Sequence, residues 1–277
     1  MLLQIDHITR YRYSEPATGI VQKLRLTPRA TDGQQIVSWR IDTDADGRLM
    51  RSTDAYGNDC HIFYADRPVE ELTLHVTGTV ITSDMAGLVR GVEEPLVATL
   101  FRRSTALTAI TPALEGFAEG FRRADAIDTL HGLMLGVNGR MQFEPGITDV
   151  VTDADTALAL GRGVCQDLSQ IFIAAARHLG FAARYVSGHY AAPDHPEQEA
   201  AHAWAEAFVP TLGWVAFDPT HGVCASEGHV RVAVGLDSLE AAPVRGSRRG
   251  GGLESLAVGV HGRQATHRSL SQSQTQA

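Results

Sequence analysis

The spacing of apolar residues changes once along the chain, and this change limits the fold more than any single motif does. Up to about residue 82 the apolar positions recur in twos: Leu72, Leu74 and Val76 lie on one face and Thr73, His75 and Thr77 on the other. Such alternation turns one face of a strand to a core and the other to solvent. Residues 5–13, 22–27, 36–43, 59–64 and 72–82 read as strands, separated by turn clusters at 14–16, 28–33, 44–47 and 56–58. Across 83–94 the spacing lengthens toward 3.6. A helix is expected to open at Pro95 (Leu96, Val97, Leu100, Phe101) and a second after Pro112 (Leu114, Phe117, Phe121). Ile127, Leu130, Met134, Val137 and Met141 form a third stripe, and 153–160 a short helix stopped by Gly161. The expected partition is a β-rich region at 1–85, a second region at 86–262, and a disordered tail at 263–277 that is Ser/Gln-rich from Ser269.

Composition excludes several partners. The chain has 277 residues, with 24 Lys and Arg against 32 Asp and Glu, a net charge of −8 that opposes phosphate binding, so no nucleic acid is expected. No apolar run approaches the roughly 18 residues that a membrane span needs. The start has no basic segment, and its apolar stretch breaks at Asp6, so no membrane association and no secretory leader are expected. Cys60, Cys165 and Cys224 are an odd number without a C-x-x-C pair, which argues against a disulfide framework and for the cytoplasm. Lys23 is the single lysine, so the chain is a poor amine donor for chemistry on itself. Nothing in the sequence sets an oligomeric state.

Residues 161–188 are the most informative stretch. They read as a glycine-flanked loop (161–164), a helix (165–179) and a strand (182–187). Leu168, Ile171, Phe172, Ala175 and Leu179 form one buried stripe on the helix, and Gly180 is a natural stop. Cys165 thus falls in the first helical turn. There unpaired amides and the positive end of the helix dipole favour thiolate, and the same amides can hold an oxyanion. A base and an orienting carboxylate are available in His202 and Asp218, each on an expected strand (202–209 and 214–218). In the first of these strands Ala203, Ala205 and Ala207 make a face small enough for close helix packing, opposite His202, Trp204 and Glu206. Register decides whether the two groups meet. Pairing 209 with 214 would send them to opposite faces, whereas pairing 208 with 214 sets Asp218 opposite Trp204 and diagonal to His202. Strands are also expected at 229–234 and around Leu256, Val258 and Val260; loops are expected at 191–200 (polar) and 246–252 (flexible).

Gly-Val-Cys-Gln-Asp (163–167), Ala-Arg-Tyr-Val-Ser-Gly (183–188), His-Ala-Trp-Ala-Glu (202–206) and Gly-Trp-Val-Ala-Phe-Asp-Pro-Thr (213–220) resemble, in order and spacing, the transglutaminase-like superfamily and its bacterial cysteine-peptidase branch. The flanks agree. His7 with Tyr11-Arg12-Tyr13, Leu24 to Pro28, and Asp54 with Gly57-Asn58 are similar to the β-rich N-terminal region found with this core. Residues 229–235 and 243–246 are similar to its C-terminal continuation. The resemblance implies a papain-like α+β core, with Cys165 as nucleophile, His202 as base and Asp218 as the orienting carboxylate. It also implies acyl transfer at an amide or isopeptide bond of a peptide or protein, by hydrolysis as in a peptidase or amidase. The alternatives are transamidation of glutamine and a peptide-binding module without turnover. Two departures, Leu168-Ser169-Gln170 after the Cys-Gln-Asp and His221 where asparagine is commoner, touch the pocket lining and remove no catalytic group.

Among the remaining residues, Cys60 and Cys224 read as structural, and Glu206 as structural or solvated. Trp204 and Trp214 are expected to pack around the site and exclude water, and Asp167 with Arg184 to form an ion pair. Tyr185, His189 and Tyr190 are divided between cleft and scaffold roles. Cys60-His61, His202, His221 and Cys224 offer soft ligands, but no second pair with zinc-type spacing supports His221-x-x-Cys224, so neither metal nor cofactor is expected.

Overall fold

The alternating N-terminal residues build one sheet whose spine is a single long strand. The structure, a computed structural model, describes residues 1–191 and 201–264. Of the expected tail at 263–277, residues 263 and 264 are strand and the rest lies outside the described residues, as does all but the first residue of the expected loop at 191–200. β1 (Leu2–Leu24), β2 (Gln34–Thr43), β3 (Gly47–Thr53), β4 (Asp59–Ala65) and β5 (Val69–Thr82) pair antiparallel in the order β2-β5-β1-β4-β3. The expected break at 14–16 is absent; the register with β5 shifts instead between Arg12 and Ala17, an irregularity that bends β1 without ending it. Leu24, Phe63, Leu72, Leu74 and Val76 make the dry face, each worth roughly 1.5–3 kcal/mol of burial.

The partition expected at residue 262 meets a difference here. After β6 (Leu88–Val89), β7 (Gln142–Phe143), β8 (Arg162–Gly163), β9 (Ala183–Tyr190), β10 (Ala201–Val209), β11 (Gly213–Asp218), β12 (Val223–Cys224) and β13 (His229–Gly235), the chain returns to the first sheet. β14 (Val244–Gly250) and β15 (Glu254–Gln264) both pair with β1, along 17–24 and 3–13. Residues 246–252 are therefore largely strand rather than flexible loop. An open edge of β1 supplies unpaired amides and carbonyls, and these accept a strand of any composition, Gly- and Arg-rich included.

Four helices form in the middle: α1 (Pro112–Glu119), α2 (Ala126–Arg140), α3 (Ala154–Leu160) and α4 (Cys165–His178). Thr111, Asp125 and Asp153 cap the first three through side-chain oxygens, and Gly161 ends α3 in the left-handed region. The helix expected at Pro95 is instead a single 3₁₀ turn at Ala98–Arg102 that buries Phe101. The second sheet runs β12-β11-β10-β9-β13. α4 lies on it, with Leu168, Ile171, Phe172 and Ala175 in one core with Ala203, Ala205 and Ala207, so the alanine face is what brings the helix close.

Candidate active site

Three local devices fix the first turn of α4. Asp167, two residues after Cys165, reaches back so that its Oδ2 accepts the Val164 amide at 2.8 Å and the Thr148 hydroxyl at 2.7 Å. Gly163 makes room for this, since a Cβ there would lie 2.5 Å from that same oxygen. Ser169 donates its hydroxyl to the Cys165 carbonyl at 2.7 Å. Burial holds the Asp167 carboxyl above its ordinary range, against the pull of the Val164 amide. The ion pair expected between Asp167 and Arg184 does not form. Arg184 is fully buried and bonds Glu206 (2.6 Å) and Glu94 (2.7 Å), with its guanidinium 3.8 Å from the centre of the Trp214 ring. Glu206 also bonds Arg231 at 2.7 Å, and despite the cost of burial its two arginines hold its carboxyl down at about 2. Glu206 is structural, then, and Trp214 belongs to this network rather than to the site.

The strands take the register that joins His202 to Asp218. Phe208 pairs with Trp214 and Val209 with Gly213, and the turn is possible because Gly213 adopts a φ of +87°. His202 Nε2 and Asp218 Oδ2 stand 2.8 Å apart, and Asp218 is wholly buried. With Nε2 engaged, Nδ1 is the nitrogen left for the thiol, and Cys165 lines the same cavity as this ring. Burial disfavours charge on the imidazole. The bond to Asp218, with the Cys165 side chain facing the ring, outweighs it and raises the ring to about 10. Asp218 is held well below the carboxylate range because hydrogen bonds from three imidazoles overcome its burial. All three predicted residues thus converge, with Cys165 and His202 on the wall of one cavity of about 400 Å³.

Sequence reasoning missed much of what surrounds them. Asp218 Oδ2 also meets His221 Nδ1 at 2.6 Å and His229 Nε2 at 3.1 Å, while Oδ1 accepts the amides of Thr220 (3.0 Å) and His221 (3.3 Å). The Asx-type turn over Pro219 and the grip on His202 are two jobs of one carboxylate. Tyr190 packs its ring 4.5 Å from His221 and 4.6 Å from His229. Trp204 backs His202 and His229 at 6.0 and 5.1 Å, seated over Gly188, where a Cβ would meet the indole at 2.6 Å. No spacing rule would have singled out His229, eleven residues past Asp218 and on another strand. The cavity is closed in part by the first sheet through His7, by Arg25 just past the end of β1, and by Tyr185 and His189. Asn58 clips that sheet to the core by bonding both the amide and the carbonyl of Val234 at 2.8 Å.

The other cysteines stand apart. Cys60 is buried in β4, its thiol pushed up to about 11 by that burial, and Cys224 lies 3.3 Å from His131 Nε2. The soft ligands Cys60, His61 and Cys224 therefore do not join His202 and His221. One group among the described residues has metal-ligand proximity: His202, Asp218 and His221, with ligand atoms within 4.8 Å of one another.

Comparison with known proteins agrees with this architecture. The family model of the bacterial transglutaminase-like N-terminal region matches residues 3–81, and that of the transglutaminase-like superfamily matches 117–219. An uncharacterized protein of Mycobacterium leprae is 31% identical over 276 residues, spanning 93% of this chain and 97% of its own. One from Mycobacterium tuberculosis is 28% identical, spanning 88% and 86%. Among solved structures, a "Putative Cysteine Protease from Cytophaga hutchinsonii" has the same fold, with a TM-score of 0.75 at 20% identity over 96% of this chain and 92% of that one. The chain belongs to the transglutaminase-like superfamily, joined to the bacterial transglutaminase-like N-terminal region.

Proposed function

We propose that the chain is a cysteine-dependent enzyme that hydrolyses an amide or isopeptide bond in a peptide or protein. The observation that supports this most directly is the 2.8 Å bond from buried Asp218 to His202, which lines one cavity with Cys165 at the start of a helix. His202 Nδ1 takes the thiol proton, and the Cys165 thiolate adds to the carbonyl carbon while the Cys165 amide donates to the oxyanion. The tetrahedral adduct collapses to a thioester as the imidazolium returns its proton to the leaving amine. His202 then deprotonates a water that attacks the thioester, releasing the acid and restoring the thiol. Asp218 keeps the ring in the tautomer with Nε2 protonated. Cys165 is partly exposed at the cleft, so water reaches the thioester, which favours hydrolysis over transfer to an amine. The three free thiols suit a reducing compartment, and we place the protein in the cytoplasm.

Alkylation by iodoacetamide at pH 6 tests the dyad. Fast labelling of Cys165 in the wild type, slowed roughly 10²-fold in His202→Ala, is the expected result, and equal rates would leave a peptide-binding module on the same fold. A glutaminyl peptide offered with and without a primary amine, with products identified by mass, separates hydrolysis from transamidation.

A further inference from the structure

Asp218 Oδ2 carries more donors than it can serve. Three imidazole nitrogens lie within 3.1 Å of that one oxygen, which has two lone pairs. One donor is fixed: His229 Nδ1 accepts the Ser226 amide at 3.0 Å, so its Nε2 carries the proton and donates to Asp218. His202 Nε2 and His221 Nδ1 then compete for what remains. Two imidazole nitrogens and a carboxylate oxygen within 4.8 Å of one another are also the donor set of a three-ligand zinc site. At zinc bond lengths of about 2.0–2.2 Å, tetrahedral ligand atoms sit about 3.3 Å apart. The observed 2.8 and 2.6 Å need open by only about 0.5–0.7 Å to admit the ion. Asp218 Oδ1, held by the Thr220 and His221 amides, anchors the carboxylate for single-oxygen ligation. The side chain of His221 is 38% exposed and gives the ion a way in.

We infer that His202 Nε2, Asp218 Oδ2 and His221 Nδ1 form a site for a zinc-class divalent cation that switches the enzyme off. His229 is not a ligand, because the Ser226 amide occupies the nitrogen that would have to carry its proton. The switch rests on the reading of His202 as proton carrier. An imidazole bound to metal through Nε2 holds its one proton on Nδ1, and so offers the Cys165 thiol no lone pair. The cation thus takes two neutral imidazoles and one carboxylate and displaces the proton that His202 otherwise presents to Asp218.

Binding is measured without reference to turnover, by calorimetry with Zn²⁺ alone and by the visible absorption of bound Co²⁺. One equivalent in the wild type is expected, weakened at least about 10-fold in His221→Ala and in His221→Asn, and retained in Cys165→Ser. No binding, binding that survives both His221 variants, or binding lost in Cys165→Ser would overturn the site. If the site binds as expected but iodoacetamide labels wild type and His202→Ala alike, the enzyme reading fails and the metal site stands.

Discussion

Among the described residues two cysteine–histidine pairs invite comparison, and they have little else in common. Cys165 opens a helix, and its histidine is bonded to a buried carboxylate. Cys224 sits in a two-residue strand, 3.3 Å from His131, whose ring packs edge-on against Phe217. Burial, with Asp84 nearby, pushes the Cys224 thiol up; among the described residues no carboxylate bonds to His131. The residue types are alike. What separates the pairs is the groups set around them: the open amides of a helix's first turn at Cys165, and the Asp218 carboxylate bonded to His202.

The sharpest break in this comparison is removal of each thiol in turn. Cys165→Ala is expected to abolish fast iodoacetamide labelling at pH 6, while Cys224→Ala leaves its rate within about 3-fold; peptide mapping of the label checks both. Next, Asp218→Asn should make the first pair resemble the second, slowing Cys165 alkylation roughly 10²-fold. The protein should still unfold cooperatively, since asparagine can keep the Thr220 and His221 amide bonds. A smaller effect is expected behind the dyad. Gly188→Ala would set a Cβ 2.3 Å from the Val230 carbonyl oxygen and 2.6 Å from Trp204. Such overpacking costs about 1–3 kcal/mol and should lower Tm by several degrees, with a loss of Cys165 reactivity as the indole shifts.

The mildest effect concerns histidines with no carboxylate bonded to them. His7 and His189 pack edge to face at 5.8 Å, and burial lowers them to about 4 and about 3, with Asp6 pulling His7 back and His7 pushing His189 further down. Unfolded, each titrates near 6.5. Between that value and the folded ones the unfolded chain binds more protons, so stability is full above pH 6.5 and falls as the pH drops toward 4. Thermal melts across this window should show a shallower slope in His189→Asn than in the wild type, and an unchanged slope would contradict the assignment.

Much of the site was legible because it rests on local chemistry. The stripe from Leu168 to Leu179, the stop at Gly180 and the start at Cys165 follow from helical spacing and glycine, and α4 spans Cys165–His178. The register that joins His202 to Asp218 could be stated as a condition, since a period of two allows two outcomes, and Phe208 opposite Trp214 is the favourable one. The partners of buried charges were less legible. Asp167 and Arg184 are close enough in sequence to suggest a pair, yet Arg184 faces Glu94, ninety residues away, and Glu206. Charges choose partners by where the packed backbone leaves them, and periodicity carries no record of that.

Sequence alone determined which segments are strands and which are helices over most of the chain, the cysteine at a helix start, and the family to which those motifs belong. These depend on neighbours a few residues apart, whose spacing is written directly in the chain. Tertiary structure decided that β14 and β15 return to the first sheet, that His7 of this sheet and Arg25 just past the end of β1 wall the cavity, and that His221 and His229 crowd onto Asp218. Those outcomes need segments far apart in the chain to pack together, and the free energy that selects among such packings resides in the assembled core, not in any one stretch.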